Sequence, residues 1–99
     1  MAAPHVEFAT TNVATAGTAV QIANTGRKVL KLWVKPHEGN SGVTYLGDSA
    51  VSATVNGWSM ATAEDYTLLD FTEAPPEQSF FYVDAATDAD KVDTIWLLE

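Results

Sequence analysis

The 99-residue chain contains no cysteine and few positive charges. Without cysteine there is no disulfide, no thiolate ligand for a metal ion and no cysteine nucleophile. Five lysine and arginine residues stand against thirteen aspartate and glutamate residues, and the net charge of −8 would repel the phosphate backbone of a nucleic acid. The composition therefore predicts no disulfide framework and no binding to nucleic acid.

Long apolar runs and catalytic motifs are also missing. No run reaches the roughly 18 apolar residues of a membrane span, and residues 1–5 lack the basic and apolar regions of a secretory signal. The two histidines, His5 and His37, are far apart in sequence, and no phosphate-binding glycine loop or Gly-x-Ser-x-Gly elbow occurs. We therefore expect no contact with membranes, no secretion, no enzymatic activity, no cofactor and no bound metal.

What the sequence does contain is β-strand patterning. Apolar residues alternate or form short runs, and clusters of Gly, Asn, Asp and Pro separate them. This spacing predicts an all-β fold, a single antiparallel β-sandwich or jelly roll of about seven to eight short strands. Residues 1–16 are predicted to form an extended N-terminal arm and residues 17–99 the β-sandwich domain. The predicted strands cover residues 6–9, 20–22, 29–35, 43–46, 51–55, 66–71, 80–83 and 92–98.

Two details of these strands follow from the residue types. Asn56-Gly57 after the fifth strand is typical of a tight hairpin turn. Lys28, Lys31 and Lys35 do not fall on one face of a regular strand, which indicates a β-bulge or a twist.

The acidic residues near the C-terminus allow two interpretations. Asp84, Asp88, Asp90 and Asp93 lie within ten positions, and clustered carboxylates are what a calcium ion requires. The glycine and the final glutamate of an EF-hand loop are absent, so the alternative is a solvated acidic loop.

The tryptophans divide into core and surface candidates. Trp33 and Trp96 lie in apolar runs and are predicted to be buried. Trp58 follows a turn and is predicted at the surface, where it offers, with Tyr45 and Tyr66, an alternative binding site for sugar rings.

Four of the five cations lie close together in sequence, namely Arg27, Lys28, Lys31 and Lys35. They form either a basic patch that docks on an acidic neighbour or a strand edge that lysines keep from aggregating.

Val6 and Phe8 in the arm have the spacing of one face of a strand, and we expect a partner to bury them. The arm and the four cations are therefore predicted to face the partner. The acidic segments 73–77 and 84–93 are predicted to face solvent.

Several segments resemble a widespread type of small structural protein of tailed bacteriophages. The similarity runs nearly from end to end and is carried by Thr10-Thr11, Gly26-Arg27-Lys28-Val29-Leu30, residues 43–54 (VTYLGDSAVSAT) with Asn56-Gly57, residues 64–69 (EDYTLL), 81–86 (FYVDAA) and 95–99 (IWLLE). Met60 and residues 61–63 depart from the usual Leu and Pro-Gly of that pattern.

The resemblance implies a non-enzymatic β-sandwich module of the virion, made in the host cytoplasm. A capsid decoration (cement) protein would bind the major capsid protein on the outer capsid surface. It would also contact neighbouring copies of itself, as a dimer or trimer. The alternative within the same resemblance is a receptor- or carbohydrate-binding module of a head or tail fibre.

Overall fold

The computed structural model describes residues 5–52, 54, 57–61 and 64–99. Its strands are β1 (His5–Val13), β2 (Val20–Gln21), β3 (Val29–Pro36), β4 (Thr44–Gly47), β5 (Gly57–Met60), β6 (Thr67–Asp70), β7 (Tyr82–Ala85) and β8 (Asp90–Leu98). One short 3-10 helix, Gln78–Phe80, precedes β7. The described part of the chain has no helix that is long and apolar enough to cross a membrane.

The strands form two antiparallel sheets of four strands each. Sheet A has the order β1-β8-β3-β6, and sheet B has the order β2-β7-β4-β5. Buried residues of both sheets join in one hydrophobic cluster, so the sheets enclose a common core in a sandwich-like arrangement. The predicted all-β, antiparallel fold class is confirmed.

Strands β3 and β8 supply most of the sheet A side of the core, and β8 does so through strict alternation. In β8, Val92, Trp96 and Leu98 are buried, whereas the residues between them point to the other side of the sheet. The Trp96 side chain is 1% exposed, and its indole N–H donates a hydrogen bond of 3.1 Å to Thr94 Oγ1. The prediction that Trp96 lies in the core is confirmed.

A β-bulge interrupts β3 near its beginning. The pairing of β3 with β8 shifts register between Val29 and Lys31. Val29 and Leu32 are therefore both buried although they are three positions apart. Beyond the bulge, Lys31 and Lys35 point to the same side of the sheet, so the predicted irregularity in this strand is confirmed.

The fifth and seventh strands differ from the prediction. The fifth strand begins at Gly57 rather than at Val51, because the chain turns at Asp48 and folds back on the start of β5. A Cβ atom at Gly57 would lie 2.7 Å from the Ser52 carbonyl oxygen, so this approach requires glycine. The predicted hairpin residue Asn56 lies outside the described residues. The seventh strand begins at Tyr82, because a 3-10 helix occupies Gln78–Phe80.

The predicted N-terminal arm is extended but not free. All nine residues of His5–Val13 pair with β8, from His5 opposite Leu98 to Val13 opposite Asp90. The segment is therefore an edge strand of sheet A. Strand β8 has the same nine-residue length as β1 and offers it an edge to pair with, which the residue pattern of the arm alone does not reveal.

Two of the aspartates predicted to face solvent are buried and bind loops. Asp90, 5% exposed, accepts hydrogen bonds from the backbone N–H groups of Ser41 (3.0 Å) and Gly42 (2.9 Å). Asp84, 1% exposed, accepts one from the Gly17 N–H at 3.0 Å. The prediction was wrong for these two residues, because a carboxylate satisfies backbone donors that would otherwise lack a partner.

The remaining acidic residues of this segment lie apart from these two. Asp88 is exposed and accepts a hydrogen bond of 2.8 Å from the Ala16 N–H. Asp93 lies on the outer side of sheet A. Across the residues that the structure describes, no group of three or more His, Asp or Glu side chains is arranged to hold a metal ion.

The Asp90 contact gives a test of this fold. Replacing Asp90 by Ala removes a charged acceptor of two backbone donors and should lower the free energy of unfolding by about 1.5–3 kcal/mol. Asp88→Ala is the matched control and should cost less than about 1 kcal/mol, because its single bond is exposed to water. Urea unfolding at pH 7 measures both, and equal losses would contradict the assignment.

Candidate functional site

A row of four apolar side chains crosses the outer side of sheet A, the side that faces away from the core. The strand registers place these residues directly opposite one another on neighbouring strands. We call this set the apolar row; it consists of Phe8, Ile95, Trp33 and Leu68. Phe8 is 76% exposed, which is unusual for so large an apolar side chain.

Rows that contain charged residues flank the apolar row on both sides. On one side, Val6, Leu97, Lys31 and Asp70 lie opposite one another. On the other side, Thr10 lies opposite Asp93, and Asp93 lies opposite Lys35. We refer to the apolar row and these two flanking rows together as the outer face of sheet A.

The outer face collects most of the large hydrophobic residues that are exposed in the described part of the chain. Seven large hydrophobic residues are exposed among those that the structure describes. Five of them lie on or beside this face, namely Val6, Phe8, Tyr66, Leu68 and Ile95. A continuous apolar patch of this kind is typical of an interaction surface.

The charge of the outer face also differs from that of the whole chain. Its rows carry Lys31 and Lys35 against Asp70 and Asp93, which is a net charge of zero, whereas the whole chain carries −8. An acidic partner can therefore approach the outer face with less repulsion than the chain as a whole would exert.

A groove of about 590 Å³ runs along this face beside the apolar row. Phe8 and Tyr66 are among the residues that line it, together with Trp33 and Ile95. Thr10, His37 and Asp93 supply polar groups to the same groove. The groove therefore combines aromatic surface with a hydrogen-bonded carboxylate.

Two neighbouring side chains in the groove contact the carboxylate of Asp93. The Thr10 hydroxyl donates a hydrogen bond of 2.7 Å to Asp93 Oδ1, and Nδ1 of His37 lies 2.9 Å from the same oxygen. Burial alone would raise the pKa of Asp93, but the Thr10 hydrogen bond, the contact with His37 and the nearby charge of Lys35 lower it below its ordinary value. Asp93 is therefore ionised at neutral pH.

The structure brings four of the six residues predicted to face a partner onto one surface. Val6 and Phe8 in β1 share the outer face with Lys31 and Lys35 in β3. The other two lie at the end of sheet A, before the bulge. Arg27 Nη2 lies 2.7 Å from His5 Nδ1 and 3.1 Å from the Glu99 carbonyl oxygen, and Lys28 is exposed and bridges to Glu77 through its backbone.

The three residues of the alternative sugar site lie on different surfaces. Tyr66 lines the groove on sheet A. Trp58 is exposed, as predicted, and its indole N–H donates a hydrogen bond of 2.8 Å to Thr67 Oγ1, which links β5 to β6. Tyr45 is half-buried in sheet B, opposite Ser59. These side chains therefore do not form one platform.

Trp33 is one of the residues that the sequence pattern misplaced. It was predicted in the core, but it is only partly buried and lies on the outer face between Lys31 and Lys35. The signal was present in the sequence, because alternate residues of a strand share a face and the two lysines mark the outer one. No pattern in the sequence identified Ile95 and Leu68, which lie opposite Trp33 in the apolar row, as residues of the outer face.

Comparisons of the chain with known proteins found no relative. No protein-family model, no curated protein and no solved structure matches the chain.

The contact between Thr10 and Asp93 predicts a pH effect. Because the pKa of Asp93 is lowered in the folded state, its ionised form stabilises the fold above the unfolded pKa, and this stabilisation is lost as the pH falls through the folded pKa. Thr10→Val removes a hydrogen bond to the carboxylate and should raise the pKa of Asp93, which an NMR titration of its carboxyl carbon measures. The acid unfolding of the variant should begin at a higher pH.

Thr11→Val is the matched control, because Thr11 is the next residue and points to the other side of β1. It should leave the pKa of Asp93 unchanged. Equal effects of the two substitutions would contradict the role given to Thr10.

Proposed function

We propose that this chain is a non-enzymatic structural protein of a phage virion, a decoration protein that binds the outside of the assembled capsid and stabilises it. The observation that carries the proposal is the outer face of sheet A. Of the seven large hydrophobic residues that are exposed in the part of the chain that the structure describes, five lie on or beside it. The resemblance of several segments to phage structural proteins, which runs nearly from end to end, supports the choice of partner, the major capsid protein.

We also infer that the two sheets form a jelly roll. Four antiparallel pairs, β1 with β8, β2 with β7, β3 with β6 and β4 with β5, nest one inside the next along the chain. This is the pairing of one long hairpin that has rolled up into two sheets, which is the jelly-roll arrangement. Modules with this topology are common in virus particles.

The distribution of charge favours docking through the outer face. The chain must carry its net charge of −8 without strong repulsion between neighbouring copies on a capsid. Carboxylates that face water are screened over about 8 Å at physiological salt. The outer face, whose rows carry no net charge, is left to contact an acidic capsid surface, and its apolar row supplies the buried area. Many identical contacts then act together, because neighbours hold each copy in place.

Phe8 gives the sharpest test of this docking surface. Phe8→Ala should weaken binding to bare capsid shells by about 2 kcal/mol per copy, or about 30-fold in Kd, because Phe8 would be a buried anchor of the contact. Its exposure of 76% in the free chain means that the substitution should leave the free energy of unfolding nearly unchanged. Co-sedimentation of the purified protein with shells measures the affinity.

Phe80→Ala is the matched control. Phe80 is 59% exposed but lies in the 3-10 helix before β7, away from the outer face of sheet A. Its replacement should not change binding to shells. Undiminished binding by Phe8→Ala would remove the outer face from the proposal, and a copy number of only a few per particle would exclude a role over the capsid surface.

A second candidate is the carbohydrate- or receptor-binding module of a fibre, and the groove favours it. Trp33 and Tyr66 offer aromatic surface on which a sugar ring can stack, next to the ionised Asp93. This candidate predicts binding on a glycan array that Trp33→Ala abolishes and that Trp58→Ala retains. Binding to shells without any binding to glycans would exclude it.

A further inference from the structure

The free edge of β1 is the longest exposed strand edge among the described strands. The four strands at the edges of the two sheets are β1, β6, β2 and β5. β1 has nine residues, whereas β2 has two and β5 and β6 have four each. No strand among the described residues pairs with the outer edge of β1. A row of backbone donors and acceptors is therefore left for another chain.

Most of the devices that usually block such an edge are absent from β1. Within His5–Val13 there is no proline and no lysine, and the pairing with β8 has no bulge. The five residues from Val6 to Thr10 are all exposed, so this half of the strand is uncovered on both of its faces. An edge of this length and regular register favours the addition of a strand.

The charge of this edge fits a second copy of the same chain. Two molecules that each carry −8 repel one another over most of their surface. The only carboxylate of β1 is Glu7, which lies 3.2 Å from His5 Nε2, and Arg27 lies on the other side of the same imidazole. The edge therefore carries no uncompensated negative charge and can approach its own copy.

We propose that two copies associate through β1, antiparallel to one another, about a two-fold axis that passes beside Ala9. Residues directly opposite each other in an antiparallel pair point to the same side of the sheet. The even-numbered residues of β1 lie on the outer face, so they must lie opposite even-numbered residues of the other copy if the two outer faces are to be continuous. Pairing centred on Glu7 would place two carboxylates together. Pairing centred on Ala9 uses all nine residues of β1, and we therefore assign that register.

This register has two consequences for the outer face. The two four-stranded sheets A become one sheet of eight strands with a continuous outer face. Phe8 lies opposite Thr10 of the partner copy and diagonal to its Phe8, a separation that aromatic side chains can bridge. The association buries part of the exposed Phe8 side chain. Its tests use the purified chain without capsid shells, so their outcome is separate from that of the capsid proposal.

The absence of native cysteine makes disulfide trapping a direct test. In Ala9→Cys, the two introduced thiols would lie opposite each other across the axis. Opposite residues have Cα atoms about 4.5–5.5 Å apart, within the range of a disulfide. Mild oxidation should convert most of the protein into a covalent dimer. Ser59→Cys is the matched control on the exposed edge strand β5, and it should cross-link only at the slow rate of random collision.

The register has its own test. Glu7→Cys and Thr11→Cys should each remain monomeric on oxidation, but an equimolar mixture of the two should form the mixed dimer, because residues 7 and 11 lie opposite each other only when Ala9 is at the axis. A dimer of Glu7→Cys with itself, or no mixed dimer, would overturn the register.

Sedimentation velocity of the unmodified chain tests the association without cross-linking. We expect a concentration-dependent dimer that Ala9→Lys weakens at least tenfold, because two lysines would meet at the axis. Ala14→Lys introduces the same charge just beyond the paired segment and should leave the dimer intact. A wild-type chain that remains monomeric up to about 1 mM, with Ala9→Cys cross-linking no faster than Ser59→Cys, would overturn the proposal.

Discussion

The alternation of β8 is the constraint on which the rest of the structure depends. This strand lies between β1 and β3 and pairs with both over most of its length. Its even-numbered residues fill the core, and its odd-numbered residues lie on the outer face. Residues that lie directly opposite each other on adjacent strands point to the same side of the sheet. The register with β8 therefore sets which side chains of β1 and β3 face outward. A shift of one residue would exchange Trp96 for Ile95 and expose the core.

The outer face is thus the reverse side of the core rather than an added feature. The bulge between Val29 and Lys31 completes it, since it turns Lys31, Trp33 and Lys35 outward while Leu32 and Val34 remain buried. The result is an apolar row between charged residues on a surface that nothing in the described chain covers. Asp84 and Asp90 are buried and bind the backbone amides of two loops. Most of the remaining carboxylates are exposed to water.

Local patterns in the sequence predicted the strands but not their neighbours. Alternation and turn residues identified the all-β fold, the bulge in β3, the buried Trp96 and the exposed Trp58. The pairing of β1 with β8 joins residues that are 77 to 93 positions apart, as in the contact of Thr10 with Asp93, and no local pattern encodes it. For the same reason, Asp84 and Asp90 looked like solvated charges, because the amides they bind belong to distant loops. Val6, Phe8, Lys31 and Lys35 were identified individually, but their common surface follows only from the register.

The orientation of the protein on a particle tests the central claim most directly. An electron-microscopy map of capsid shells decorated with the purified chain, at a resolution that separates strands, would show which sheet faces the shell. The account predicts that sheet A lies against the capsid, with Phe8 and Trp33 in the contact and sheet B toward solvent. A map in which sheet B or the loop around Asp88 contacts the shell, with the outer face of sheet A in water, would contradict it.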